Sequence, residues 1–143
     1  MHVIWSKRHL LWMLLCFFRF IAKMTSLNAA KQLVIDMYGC DEAILNSHEQ
    51  IVQAAHQAIG KIGASIVDEC VHTFSPIGIT YFAVITSSHL SIHTWPEYGY
   101  AAVDIFSCAH DVPDSIGEML KALLHAESIQ IRTMIRNIGY AQT

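Results

Sequence analysis

The sequence predicts an α+β two-layer sandwich, a mainly antiparallel sheet of four to five strands covered by two helices. Three observations carry that prediction. Short β-branched and aromatic runs alternate apolar with polar positions. Two longer segments repeat their apolar residues at helical spacing. Turn signals join the middle strands as hairpins, which favours antiparallel pairing.

Gln32 to Met37 is a short apolar strand that ends at the Tyr38-Gly39 turn. Asp41 is placed to cap a short turn through Leu45. From Ser47 to Ile62, apolar residues at Ile51, Val52, Ala55, Ile59 and Ile62 mark the first helix. Ser47 caps it, Gln50 completes a capping box, and Gly60 and Gly63 mark its end. Ala64 to Phe74 is a strand, Pro76 to Gly78 a turn, and Thr80 to Thr86 a further strand. In His89 to Trp95, Leu90 and Ile92 take one face, and His89, Ser91, His93 and Trp95 the other. Pro96 to Gly99 is a turn from which Tyr100 to Cys108 returns as a strand. Pro113 and Asp114 open the second helix, which buries Ile116, Met119, Leu120, Leu123 and Leu124. Ser128 to Ile135 is the last strand, and the order is read as β-α-β-β-β-α-β. No internal repeat or low-complexity tract interrupts it.

Composition narrows the function. The chain of 143 residues is one domain's worth, and with 53% apolar and 15% charged residues it has the makings of a folded core. A net charge of −3 offers no basic field for a phosphate backbone, so nucleic acid is disfavoured as a partner. Cys16, Cys40, Cys70 and Cys108 are widely spaced, with no C-x-x-C pair. That spacing argues against a disulfide framework and a zinc site, and for reduced thiols in a cytoplasmic protein. Residues 1–27 stand apart: Lys7, Arg8 and His9 precede the nine apolar residues Leu10 to Phe18, too short a run to span a bilayer. A membrane-leaning leader, an extra helix and a start codon upstream of a working start at Met24 all fit. The last is preferred, because residues 28–143 read as one domain without the extension and no stable membrane insertion is expected.

The chemistry is concentrated between Ile85 and Cys108, where Ser, His, aromatic residues, a carboxylate and Cys occur together. A hairpin centred on Tyr98 puts Ser88 opposite Cys108 and His93 opposite Val103. Ser88 and His93, five residues apart, then face opposite sides of a regular strand. Both serve one site only if a bulge intervenes or a break at Ser88 frees a chain end.

The run S-H-L-S-I-H-T-W-P-E-Y-G-Y-A-A-V-D-I-F-S-C, from Ser88 to Cys108, resembles the signature of the prokaryotic S-adenosylmethionine decarboxylase proenzymes, a pyruvoyl-dependent family. The similarity extends from about Lys31 and includes Tyr38-Gly39-Cys40-Asp41 and His72-x-Phe74-x-Pro76. It implies self-cleavage between Ser87 and Ser88: the Ser88 hydroxyl attacks the Ser87 carbonyl, and elimination and hydrolysis then leave a pyruvoyl group. The uphill amide-to-ester shift needs backbone strain and oxyanion donors. By the resemblance, His93 is the processing base, Thr80 supplies an assisting hydroxyl, and Cys108 is the proton donor to the substrate carbon. The pyruvoyl ketone forms a Schiff base with the substrate amine and acts as the electron sink, so neither pyridoxal phosphate nor a metal is implied.

Phe74 is expected to stack on adenine and Glu97 to accept the ribose hydroxyls. Trp95 and Leu90 complete the substrate-binding set, with the aromatic faces also suited to a sulfonium. Cleaved protomers of one β and one α chain are expected to form a homodimer. The chain departs from the family pattern at four positions: Ser87 replaces a common Glu, Thr80 a Ser, Ala109 a Gly and Gln32 a His. Decarboxylation of ornithine or arginine, or a non-processing regulatory role, are the alternatives.

Overall fold

The structure, a computed structural model, describes residues 29–86, 88–108 and 111–137. The chain forms β1 (Ala29–Tyr38), α1 (Glu42–Leu45), α2 (His48–Lys61), β2 (Ile66–Thr73), β3 (Ile79–Ile85), β4 (Ser88–Trp95), a 3₁₀ turn (Pro96–Tyr98), β5 (Tyr100–Ser107), α3 (Ser115–Leu123) and β6 (Ser128–Asn137). All the strands join one sheet in the order β2-β3-β4-β5-β1-β6. The α+β class is as predicted, but the sheet has six strands rather than four or five. The alternating run His89 to Trp95, read apart from Thr80 to Thr86 but not counted in the β-α-β-β-β-α-β order, is a strand in its own right, paired to β3 across positions 86 and 87. Residues 30–136 form one compact unit, and the 1–27 extension lies outside the described residues.

The period of two in the strands and of 3.6 in the helices builds one core. Leu33, Ile35 and Met37 on β1, Tyr81 and Ala83 on β3, Leu90 and Ile92 on β4, and Val103 and Ile105 on β5 face the helices. Against them α2 packs Ile51, Ala54, Ala55, Ala58 and Ile59, and α3 packs Ile116 and Leu120. Met119 and Leu123 are partly buried at the margin of this layer. The opposite face of the sheet carries Asp36, Thr80, Phe82, His89, His93, Trp95, Tyr100 and Phe106, half-buried or exposed. Among the described residues no helix is long and apolar enough to cross a membrane.

Local signals set the helix starts, with two substitutions of partner. Asp41 accepts the N–H groups of Ala43 and Ile44 at 2.8 and 3.1 Å, capping α1 as expected. Ser47 Oγ accepts the Gln50 N–H at 3.4 Å, but the Ser47 N–H donates to the Ile44 carbonyl. The capping box is therefore half-formed, because α1 already supplies the acceptor that Gln50 would offer. Asp114 makes no side-chain cap to α3 and instead binds Lys31 Nζ at 3.0 Å.

The β4–β5 hairpin differs by one residue from the predicted register: Ser88 pairs with Ser107 and His93 with Ala102. The connection holds the four residues 96–99, ended by Gly99 at φ +56°, so its centre falls between Glu97 and Tyr98 and not on Tyr98. A left-handed residue there favours glycine. The β4 ladder is continuous with both neighbours, so no bulge turns Ser88 and His93 to one face.

Side-chain ties bind the outer strands to the centre. The Tyr100 hydroxyl donates to Asp36 at 2.6 Å, and Arg132 on β6 pairs with the other oxygen of the same carboxylate. These bonds hold the Asp36 carboxyl below its ordinary range, while the bond to Asp36 and burial push the Tyr100 hydroxyl up to about 12. Across the sheet, buried Tyr81 donates to Glu69 at 2.6 Å, and His56 of α2 lies 2.7 Å from the same oxygen. The Tyr81 and His56 bonds hold the Glu69 carboxyl below its usual range.

Two expectations follow from this packing. Ile92→Ala, at a fully buried position, should lower the unfolding free energy by about 2–5 kcal/mol in denaturant titration. Because the folded state depresses the Asp36 pKa, its contribution is complete above the unfolded value of about 4 and fades as pH falls through the lower folded value. Asp36→Asn should therefore flatten the stability-against-pH curve below about pH 4, read by urea melts at a series of acid pH values.

Candidate active site

The residues that the sequence singles out fall into two groups, at opposite ends of β4. One group surrounds a cleft of about 430 Å³ lined by Phe74, Ile77, Gly78, Thr80, His93, Thr94, Trp95 and Glu97. Antiparallel pairing places Thr80 directly across from His93, with Thr80 Oγ1 3.0 Å from His93 Nδ1. If the Nδ1 proton is donated to Thr80, Nε2 is left as the basic nitrogen; in the other tautomer Nδ1 accepts from the hydroxyl. Phe74 is half exposed, and the edge-on His72 ring, 4.6 Å away, braces it. Trp95 lies beside His93 with ring centroids 6.4 Å apart. Glu97 is exposed on the 3₁₀ turn at the mouth of the cleft.

Several contributors were not singled out from the sequence. Gly78, at φ +110°, forms the floor, and a Cβ there would lie 3.3 Å from the Thr94 carbonyl and 3.9 Å from the Phe74 ring. Its N–H donates to Asn46 at 3.1 Å, tying the floor to the loop before α2. Buried Thr94 accepts the Ile79 N–H at 2.8 Å and donates back to the Ile79 carbonyl at 3.3 Å. The Pro76-to-Gly78 turn signal identifies this loop, but nothing local reveals Asn46 as its partner, 32 residues away.

The second group is Ser88 and Cys108. Although Ser88 pairs with Ser107, its Oγ accepts the Cys108 N–H at 3.0 Å, so the predicted neighbours do meet. Cys108 is exposed just beyond the end of β5. Buried Cys40 is a contrasting thiol: burial pushes it up to about 11 and makes it inert. Cys40, Cys70 and Cys108 all lack disulfide partners. Ser87 and Ala109 lie outside the described residues. Leu90 lies fully buried on the helix-facing side of β4, so it packs the core and does not line the cleft. Its parity, two residues from Ser88 and two from Ile92, dictates that side. Among the described residues, no group of three or more His, Cys, Asp or Glu side chains is arranged to hold a metal.

The separation of the two groups is large. Five residues of extended chain put Ser88 and His93 about 17 Å apart along the strand. Between them the open face carries His89, stacked on Phe82 at 5.7 Å and against Phe106 at 5.7 Å. His89 also lies 3.7 Å from Asp104, whose two oxygens accept from the Gln32 amide at 2.8 and 3.1 Å. Gln32, one of the departures from the family pattern, is thus built into the sheet face.

Comparison with known proteins identifies the family. The family model for S-adenosylmethionine decarboxylase matches residues 31–137. An S-adenosylmethionine decarboxylase proenzyme of Thermotoga petrophila is 44% identical over 102 residues, covering 71% of this chain and 78% of its own length. A protein of the same description from Thermosipho africanus is 40% identical over 107 residues, covering 74% and 82%. In fold, the crystal structure of the adenosylmethionine decarboxylase from Aquifex aeolicus matches 80% of this chain and 94% of its own, at a TM-score of 0.64 and 24% identity. With the match running from β1 through β6 and taking in both ends of β4, the chain belongs to the S-adenosylmethionine decarboxylase family.

Proposed function

We propose that this chain is a self-cleaving, pyruvoyl-dependent carboxy-lyase that decarboxylates S-adenosylmethionine to the aminopropyl donor for spermidine synthesis. The observation that carries the reading is the seat of Ser88 in a chain of this family. It begins β4 after a tight reversal, with its hydroxyl oxygen held by the Cys108 backbone N–H. A serine at the start of a strand, beside an exposed thiol, fits the required precursor.

In cleavage, Ser88 Oγ adds to the Ser87 carbonyl carbon while its proton passes to a base. The peptide C–N bond then breaks and leaves an ester. Removal of the Ser88 Cα proton expels the Ser87 carboxylate and leaves a dehydroalanine, which takes up water and loses ammonia. The resulting pyruvoyl group supplies an electron sink for the bond to the departing carboxylate. Cys108 holds the proton for the substrate carbon, a task that needs a reduced thiol and suits a cytoplasmic setting. In the cleft, Phe74 and Trp95 offer two aromatic walls over the glycine floor for a planar base and a sulfonium. Glu97 offers an acceptor pair for the ribose hydroxyls. The volume lies within the range of small-molecule sites. The relatives named above carry the S-adenosylmethionine name, so the ornithine, arginine and regulatory readings gain no support.

His93 and Ser88 of one chain do not reach each other along an unbroken strand. We infer that two copies pair by their open sheet faces about a two-fold axis. The cleft with Thr80 and His93 in one copy then lies over the sheet end that carries exposed Cys108 and the first rung of β4, at Ser88, in the other. Partly exposed Phe82 and Val84 give that face apolar area to cover.

Intact mass spectrometry of purified protein should show two fragments with the C-terminal one beginning at residue 88 and carrying a blocked end; Ser88→Ala should remain one uncut chain. Cleavage of Ser88→Ala at the wild-type rate defeats the mechanism. Cys108→Ala should lower carbon dioxide release from S-adenosylmethionine by about 10²–10⁴-fold while still being cleaved. Co-expressed His93→Ala and Cys108→Ala chains should recover about a quarter of wild-type activity, since half the dimers form one intact composite site. No recovery rules out the shared site.

A further inference from the structure

Trp95 is a wall of the cleft, yet it is 39% exposed at the end of a strand, where an indole has more than one rotamer available. Its ring is flanked on two sides. His93 lies on the cleft side at 6.4 Å, and Tyr100 is its direct partner on β5, with centroids 5.4 Å apart at 38°. Tyr100 is itself fixed at both ends. Its ring lies 5.4 Å from that of Tyr38, and its hydroxyl donates to Asp36 at 2.6 Å. Asp36 is held in turn by the Arg132 guanidinium, which also donates to Gln130 at 3.2 Å. Three strands thus converge on one ring that does not itself line the cleft. The Trp95–Tyr100 rung is also the last before the 3₁₀ turn that carries Glu97.

We propose that Asp36 and Tyr100 are positioning residues for substrate binding: through the Tyr100 ring they hold Trp95 in the orientation that walls the cleft. The proposal rests on the reading of this cleft as the nucleoside site. Preorganising an aromatic wall spares the ordering cost that binding would otherwise meet. Trp95 is read as a binding wall and carries no proton or reacting atom, so the effect falls on KM and leaves kcat in place.

Tyr100→Phe retains the ring and removes the donor. It should raise KM for S-adenosylmethionine by roughly three- to tenfold, with kcat within about twofold of wild type. Asp36→Ala should match it, whereas Asp36→Asn, which keeps an acceptor for the hydroxyl, should lie closer to wild type. With Trp5 and Trp12 replaced by Phe in the full chain, Trp95 is the sole tryptophan. Acrylamide quenching of its emission should then increase in Tyr100→Phe and Asp36→Ala. Unchanged quenching in both variants overturns the proposal, as does a fall in kcat and self-cleavage at constant KM. If wild-type protein leaves S-adenosylmethionine unconsumed, the proposed activity fails, while the quenching measurement, which needs no substrate, still decides the positioning role.

Discussion

The two-residue repeat of β4, held in unbroken register by β3 and β5, governs the rest of the molecule. A strand paired on both sides has no freedom to rotate a residue from one face to the other without breaking its ladder. Leu90 and Ile92 must therefore enter the core if His93 and Trp95 are to line the cleft. The same parity, with five intervening steps, sends Ser88 to the far end and the other side. One strand thus joins a binding surface to a reactive end while keeping them apart. The pairing of two copies proposed above would bring together what one strand holds apart.

Much of this was readable from residue pattern alone. The alternation from His89 to Trp95 identified the two faces, and the apolar spacing of Ile51, Ala55 and Ile59 identified the helix that covers one of them. The opposition of Ser88 and His93 also followed from counting. What escaped was information held in loops and long-range partners. The hairpin register moved by one because Gly99 takes the left-handed conformation and makes the connection four residues long. Leu90, expected at the substrate, is core because parity overrides its proximity to Ser88. The Gly78 floor depends on Asn46, and the placement of Tyr100 depends on Asp36 and Arg132, partners far apart in the chain. No local pattern specifies such pairs.

The four cysteines illustrate why position outweighs residue type. Cys40 sits in the core, where loss of water raises the energy of the thiolate and leaves the sulfur unreactive. Cys108 is exposed beyond the last rung of β5, beside the hydroxyl of Ser88. Both are equally unremarkable in composition. The Cys108 backbone also bonds to Ser88, so the two residues are held together at one end of the sheet.

The open face explains the polar cluster at its centre. His89 lies between Phe82 and Phe106, with Asp104 at 3.7 Å and the Gln32 amide on both Asp104 oxygens. On a surface that stays in water such pairing contributes little, because water serves the carboxylate equally well. Beneath a second sheet, an unpaired Asp104 would be costly, and two amide hydrogens from one neighbour remove most of that cost. A histidine in place of Gln32, as in the family pattern, offers that carboxylate one ring N–H at a time. Gln32 offers two from a single neutral group. The substitution is therefore compatible with the face-to-face pairing proposed above, and it keeps the sheet's centre satisfied without adding a charge there.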